Sequence, residues 1–349
     1  MKWMNKAYRL GIYISLYATL MVGLLLLPTS ATAQPPFRLF ILESQLGSPY
    51  QEAREALLQS LASYGYRKGQ NLHVTIHSAS NDVERGVKLL KQSQPSRYDV
   101  IYTGGTVATI AAKQVLLGQD IPVVFASPTD PVGIGVIDSF IYPPKANFTG
   151  VCYPVPVKAR LRFVRQLMPK ARTFGLIYAD MPQSHSYNRW LQELIKSDPE
   201  FQDINILFQA VPLITGEDGD QRMADAAIPM IKSLDPQVDA FIKANDQLGA
   251  RQPFAEHVSQ YATKPLIGLV RQDVMEQWGA SAVIYPSHSS IGKQAAKMVK
   301  RLLDGEAITN LTPQWPAKFG YAVDLRNTRK HRIVVPVGLL QLAGENIIK

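Results

Sequence analysis

Apolar and polar positions fall into two alternating rhythms along the chain. Phe37 to Leu42 (FRLFIL) is a short apolar run that reads as a buried strand. Ser48-Pro49 opens a helix in which Ala53, Ala56, Leu57 and Leu61 recur at helical spacing, and Gly65 ends it. From Asn71 to His77 the period drops to two: Leu72, Val74 and Ile76 face one side, His73, Thr75 and His77 the other. A helix over 82–90, a strand over 98–102, a helix over 106–117 and a strand over 121–126 follow. The alternation pauses at 150–156, which reads as a crossing segment with two prolines, and then restarts. Helices are expected at 157–167, 186–196, 222–233 and 248–261, and strands at 173–178, 204–211, 238–243 and 265–270. The tail holds a strand at 282–285, a helix at 289–303 with Gly305 beyond its end, and a late strand at Ile333 to Val335.

Strands that alternate with helices through short loops predict parallel, doubly wound sheets. The fold class expected is therefore α/β, with two Rossmann-like lobes joined by a hinge and a ligand cleft between them. The tail is expected to recross, so that residues 37–150 with about 271–305 make the first lobe and 151–270 with about 306–349 the second. In such sheets ligands sit outside the carboxyl ends of the strands.

The first 33 residues differ from the rest. Lys2, Lys6 and Arg9 precede an apolar stretch from Leu10 to Leu27, Pro28 breaks it, and Ala31-Thr32-Ala33 puts small residues at a cleavage site. This is the pattern of a secretory signal peptide cut after Ala33. The other reading is an uncleaved anchor, since 18 apolar residues nearly suffice to span a membrane. Cys152 is the single cysteine, which excludes an internal disulfide and suggests a small buried hydrophobe. An exported chain with so little cysteine suits a bacterial periplasm.

The net charge is +9, three fewer without Lys2, Lys6 and Arg9. Basic residues gather over 158–172 and 293–301, as a polyanion site or as solvated helix faces. There is no zinc-finger spacing and no basic patch interleaved with aromatics, so nucleic acid is not an expected partner. No G-x-S-x-G elbow, P-loop, H-E-x-x-H or G-x-G-x-x-G occurs, and no catalytic residue is assigned. His73 and His77 are four apart but lie on a strand's wet face, so neither a metal nor a cofactor is expected.

The candidate ligand-binding residues are those placed at strand ends. Thr103, Gly105 and Thr106 lie where a strand opens into a helix, whose free N–H groups hold carboxylates. The alternative there is a turn with Thr106 as an ordinary cap. Ser44 and Gln45 follow the first strand, and Ser127, Thr129 and Asp130 the fourth, the last of these suiting a plain turn equally well. In the second lobe Tyr178, Asn245, Asp246 and Tyr285 end strands. Asp246 would pair with an ammonium group or cap a helix, and Tyr285 would stack on a ring or fill core.

Four stretches carry a family resemblance: Gly65 to Asn71 (GYRKGQN), Asp99 to Thr106 (DVIYTGGT), Ile121 to Gly135 (IPVVFASPTDPVGIG) and Asn147 to Val151 (NFTGV). With this order and spacing the chain resembles the substrate-binding proteins of bacterial ABC transporters with the type I periplasmic-binding fold. It resembles most the branch that includes tryptophan- and tyrosine-binding members. It departs from the pattern twice: Gly105-Thr106-Val107 stands where the family has Gly-Thr-Pro, and Pro144-Lys145-Ala146-Asn147 where it has Pro-Gly-Gly-Asn. The resemblance implies a monomeric periplasmic protein that captures a small organic ligand by hinge closure and delivers it to a permease. An aromatic or branched amino acid is the ligand class expected. A ligand-sensing subunit of a membrane signalling protein is the alternative, and a secreted α/β hydrolase a more distant one.

Overall fold

Both faces of the first strand are buried, which is why its apolar residues run on without clean alternation. Strand β1 (Phe37–Glu43) sends Phe40 and Leu42 into one apolar cluster and Leu39 and Ile41 into another. The computed structural model describes residues 35–349; the signal segment expected at 1–33 lies outside them. Within Pro36–Lys349, a single compact unit, the strands make two sheets. The first joins β1, β2 (Leu72–Ser78), β3 (Val100–Gly104), β4 (Val123–Ala126) and β5 (Phe148–Val151) in the order β2-β1-β3-β4-β5, all parallel. The second joins β6 (Thr173–Ala179), β7 (Asn205–Val211), β8 (Ala240–Ile242), β9 (Leu266–Ile267), β10 (Ala282–Pro286), β11 (Phe319–Asp324) and β12 (Ile347–Ile348). Its order is β12-β11-β10-β9-β8-β6-β7, with β10 and β11 antiparallel and the other pairs parallel.

Helices cover both faces of each sheet. On the first, α2 (Val83–Ser93) and α3 (Thr106–Leu116) cover the Phe40 face, and α1 (Tyr50–Ser63) the Leu39 face. On the second, α5 (Val157–Leu167) and α6 (Pro182–Ser197) cover one face, and α7 (Gly219–Leu234) and α8 (Gln252–Tyr261) the other. A short α4 (Pro131–Ile134) follows β4, and α9 (Gln272–Met275) follows β9. Helix α10 (His288–Leu303) returns to pack on α1, and α11 (Leu325–Lys330) and α12 (Val337–Ala343) close the chain.

Several elements differ from expectation, each for a local reason. Strand β5 is not among the expected strands, and its last two residues, Gly150 and Val151, fall in the stretch read as a crossing. It can form only because Gly150 has φ 153°: a Cβ there would lie 2.0 Å from the Phe125 carbonyl oxygen. The helix expected from Leu248 starts at Gln252, because the Gly249 N–H turns to the Asp246 carboxylate at 2.8 Å. The strand expected over 265–270 shrinks to Leu266–Ile267, because Leu269 and Val270 give their N–H groups to Asp273 at 2.6 and 2.9 Å. Ile333 to Val335 is not a strand: the Ile333 N–H bonds the Thr328 carbonyl, and β11 supplies the strand beside β10. The return to the first sheet also comes later than residue 271. β10 still belongs to the second sheet and α10 to the first, so the chain crosses near Ser287. Two further crossings run side by side, with the Gln314 N–H on the Gly150 carbonyl at 2.8 Å and the Cys152 N–H on the Gln314 carbonyl at 3.1 Å.

A fully buried ion pair holds the carboxyl ends of β8 and β9 together. Lys243 and Asp273 bond directly, and neither side chain is exposed. The Lys243 ammonium also donates to the Arg251 carbonyl at 3.0 Å, while Arg160 donates to the carbonyls of Lys243 and Gly268 at 2.6 and 3.3 Å. Burial alone would push the Lys243 amine towards its neutral form, and the Asp273 charge opposes that. Removing one partner of such a pair strands the other charge in apolar surroundings. Lys243→Met is therefore expected to lower unfolding stability by about 3–5 kcal/mol, read from urea denaturation. An unchanged midpoint and slope would show that the pair does not hold the strand ends.

Candidate functional site

The loops at the carboxyl ends of both sheets meet, and a small cavity of about 20 Å³ lies where they do. Helix α3 forms one wall. Its N-cap residue, Gly105, has φ 90°, and a Cβ there would lie 2.6 Å from both the Ser44 hydroxyl and the Tyr50 ring. With no side chain at the cap, the Ser44 hydroxyl accepts the Ala108 N–H at 3.1 Å from across the sheet. The amides of Thr106 and Val107 head the helix. The Thr106 hydroxyl accepts the Thr129 N–H at 3.1 Å, which fixes the loop after β4 against the helix start. In that loop Ser127 has φ 64°, a left-handed backbone uncommon outside glycine.

Bonds cross from one sheet's loops to the other's. Asn245 donates to the Thr129 hydroxyl at 2.9 Å, and Gln247 to the Tyr50 hydroxyl at 2.6 Å. Gln45 accepts from Asn81 at 2.8 Å and donates to Asp220 at 2.6 Å, and Arg251 lies 3.1 Å from the same carboxylate. Arg251 also donates to the carbonyls of Ser48 and, at 3.0 Å, Leu46; Gln272 donates to the Ser48 hydroxyl at 2.8 Å.

Of the residues expected from sequence, Thr106, Ser127, Thr129, Asn245 and Asp246 line the small cavity. Ser44, Gln45 and Gly105 shape its surroundings through the contacts above. Asp130 caps α4 by accepting the Gly133 N–H at 2.7 Å and faces a neighbouring cavity. Three residues are not brought to the cavity. Thr103 is buried against the Thr109 hydroxyl at 3.0 Å. Tyr178 points to the opposite face of β6, edge-on to His185, and the Tyr285 hydroxyl meets Asn346 at 3.4 Å. Asp246 has both oxygens engaged, by the N–H groups of Gly249 and Ala179 and the Ser184 hydroxyl at 2.8–2.9 Å. Burial nevertheless raises its carboxyl to about 6.

Tyr50, Tyr153, Gln183 and Gln247 complete the lining together with Pro49 and Ala250, and sequence reasoning did not single these out as ligand-binding. Tyr50 and Gln183 occupy the first turns of α1 and α6, where the signal is a proline at the helix start, and Gln247 adjoins the flagged Asn245-Asp246. Tyr153 lies in the crossing, where no periodicity points to it. Among the described residues, the Ser127 and Tyr153 hydroxyls and the amide oxygens of Gln183 and Gln247 are buried without a hydrogen-bond partner. Buried polar groups are rarely left so, and here four belong to residues that line one space. Neither lysine nor arginine lines it, and the oxygens of its one carboxylate, Asp246, are already engaged by protein donors. Among the described residues there is also no group of three His, Cys, Asp or Glu arranged to hold a metal ion.

Behind Tyr153, at the crossing, His288 is stacked on its ring with centroids 5.5 Å apart. Both His288 ring nitrogens are buried without partners, and burial lowers its pKa to about 3. The folded-state value lies below the ordinary 6.5, so the neutral ring contributes stability in full above pH 6.5 and loses it as pH falls towards 3. His288→Phe keeps the stack and removes the titration. The stability of wild type relative to this variant is expected to fall by up to about 1.4 kcal/mol per pH unit below 6.5. Urea unfolding at several pH values checks this, and parallel curves would refute it. Asp246→Ala is expected to cost about 2 kcal/mol or more at pH 7, since three donors lose their acceptor. A thermal or urea midpoint equal to wild type would mean those bonds contribute nothing.

Three comparisons bear on this architecture. Residues 47–347 match the family model described as ABC transporter substrate binding protein. A tyrosine-binding protein of Clostridioides difficile is 22% identical over 261 residues, covering 74% of this chain and 70% of the relative. A conserved domain protein from Vibrio cholerae superposes with a TM-score of 0.77 at 19% identity, covering 90% of this chain and 99% of the other. An ABC domain from Streptococcus pneumonia in complex with L-Trp also gives 0.77, at 18% identity, with 90% and 100% covered. The two structures establish the shared fold, and the family is one of binding proteins, not enzymes. The chain belongs to the ABC transporter substrate-binding proteins.

Proposed function

We propose that this protein binds an amino acid outside the cytoplasmic membrane, aromatic or branched in its side chain, and hands it to an ABC permease. The observation that carries the reading is that four partnerless buried polar atoms belong to residues lining a cavity with no cationic side chain. A zwitterion supplies what they lack. Its ammonium would meet the amide oxygens of Gln183 and Gln247, and its carboxylate the head of α3 with the hydroxyls of Ser127 and Tyr153. A phosphate or dicarboxylate would find no compensating charge there. The relative that binds tyrosine and the neighbour that holds L-Trp support the same class. Capture would proceed by closure about the crossings at residues 152–156, 287 and 312–318, with Asn245–Thr129 and Gln247–Tyr50 bonding as the lobes meet. The chain from Gln34 onward would act in the periplasm.

A thermal-shift screen against the twenty amino acids, sugars and nucleosides tests this. A ligand at about 100 times its Kd stabilises the native state by about 2.7 kcal/mol, a clear rise in midpoint. The expected response is confined to a few amino acids with apolar side chains. A response to sugars or nucleosides alone, or to nothing, would overturn the amino-acid reading.

A further inference from the structure

The two basic runs noted in sequence are largely neutralised in the fold. Lys158, Arg162, Arg165 and Arg172 pair with Asp198, Glu200 and Asp203, and Lys300 and Arg301 pair with Asp304 and Glu306. Unpaired cations gather elsewhere, at the amino ends of the first sheet and so at the end remote from the cleft. A cavity of about 300 Å³ opens there, lined by Pro36, Arg38, His73, Ser93, Arg97 and Tyr98. Among the described residues neither arginine belongs to an ion pair, and no carboxylate lines the cavity. We propose that this cavity is an anion site, separate from the cleft and independent of the amino-acid reading, and that it takes a phosphate group.

Three elements bring the donors together. Strands β1 and β2 are parallel neighbours, and Arg38 lies opposite His73 in their ladder, so the two side chains stand on the sheet face that carries Phe40. Tyr98 backs them, its ring edge-on to Phe40 with centroids 5.2 Å apart and its hydroxyl on that of Thr75 at 3.3 Å. Arg97 comes from the turn after α2, Pro95–Arg97, and among the described residues its guanidinium meets only the Gln94 amide oxygen, at 3.2 Å. Neither arginine is needed to close the end of α2. The Leu90 carbonyl takes the Ser93 hydroxyl at 2.7 Å, that of Lys91 the Gln94 N–H, and that of Gln94 the Arg97 N–H at 3.0 Å. Asp99, the nearest acid in sequence, has an oxygen engaged by the Arg38 backbone N–H at 2.6 Å and does not line the cavity. Arg67 and Lys68, exposed in the loop leading into β2, form no ion pair among the described residues and add to the positive potential. Two guanidinium forks from different elements suit a tetrahedral oxyanion, which presents oxygens in several directions, whereas a planar carboxylate serves one fork. The phosphate has two sources: a soluble phosphate compound, or the headgroup of an anionic phospholipid.

Two measurements at low ionic strength test the site and separate the sources. One is calorimetric titration with inorganic phosphate, glycerol 1-phosphate and acetate. The other is co-sedimentation with phosphatidylcholine vesicles, with and without phosphatidylglycerol. The proteins are wild type, Arg38→Gln, Arg97→Gln, the double variant and Arg162→Gln, the last removing the same charge from a remote, paired position. All three arginines are exposed, and each variant is expected to keep the wild-type unfolding temperature. Saturable binding is expected in wild type, about fivefold weaker in each of Arg38→Gln and Arg97→Gln, lost in the double variant and unchanged in Arg162→Gln, with acetate bound at least about fivefold more weakly than phosphate. A response to the soluble probes assigns a free phosphate compound, and a response to anionic vesicles alone assigns a lipid headgroup. Binding that does not saturate, that Arg162→Gln weakens as much as Arg38→Gln does, or that acetate matches would overturn the site, as would no response to any probe. The amino-acid reading stands or falls separately, by the thermal-shift screen.

Discussion

Backbone groups at the carboxyl ends of the strands, once buried between two sheets, must find side-chain partners, and much of the cleft is built to meet that demand. Asp246 takes the N–H groups of Ala179 and Gly249. Asp273 takes those of Leu269 and Val270, with Lys243 balancing its charge. Ser44 takes Ala108, Thr106 takes Thr129, and Arg160 supplies donors to two carbonyls. Leave any one unmade and a loop that shapes the ligand space loses its anchor. The polar residues nearest the strand ends are therefore largely committed to the protein itself, and the partnerless polar atoms belong mainly to residues one step further out.

That arrangement explains what could be read from sequence. The alternation of period-two and helical segments made the α/β architecture plain, because both faces of strands such as β1 and β4 are buried and their apolar runs are unmistakable. The ends of elements were less legible. Leu269 and Val270 are as apolar as a strand requires, but a carboxylate four residues from Leu269 in sequence competes for their amides and wins. Strand β5 was hidden because its key residue, Gly150, has low strand propensity yet is the one residue that tolerates contact with the Phe125 carbonyl.

The site was half legible for a related reason. The rule that ligands sit beyond strand carboxyl ends brought attention to Thr106, Ser127, Thr129 and Asn245, and these do line the cavity. It could not separate residues that face the cavity from those that cap turns, since Asp, Asn and Thr serve both purposes. Nor could it find Tyr153 in a crossing segment, or Gln183 at the start of α6, where the helical period begins a turn earlier than its apolar residues suggest. The absence of lysine and arginine from the small cavity also has no signature in a chain carrying net positive charge; it is a property of placement, not of composition.

The bonds from Arg251 to Leu46 and Ser48, and from Gln45 to Asp220, join the two sides of the cleft with protein groups alone. Under the closure proposed above, a bond of this kind needs no cargo, and it would narrow the free-energy gap between an empty open and an empty closed form. A ligand would then need less differential affinity to complete the shift, which would favour capture at low concentration. The same bonds would raise the share of receptors that are closed while carrying nothing. If a permease reads closure, the strength of this protein-only clasp would set how often it meets a closed receptor that carries nothing.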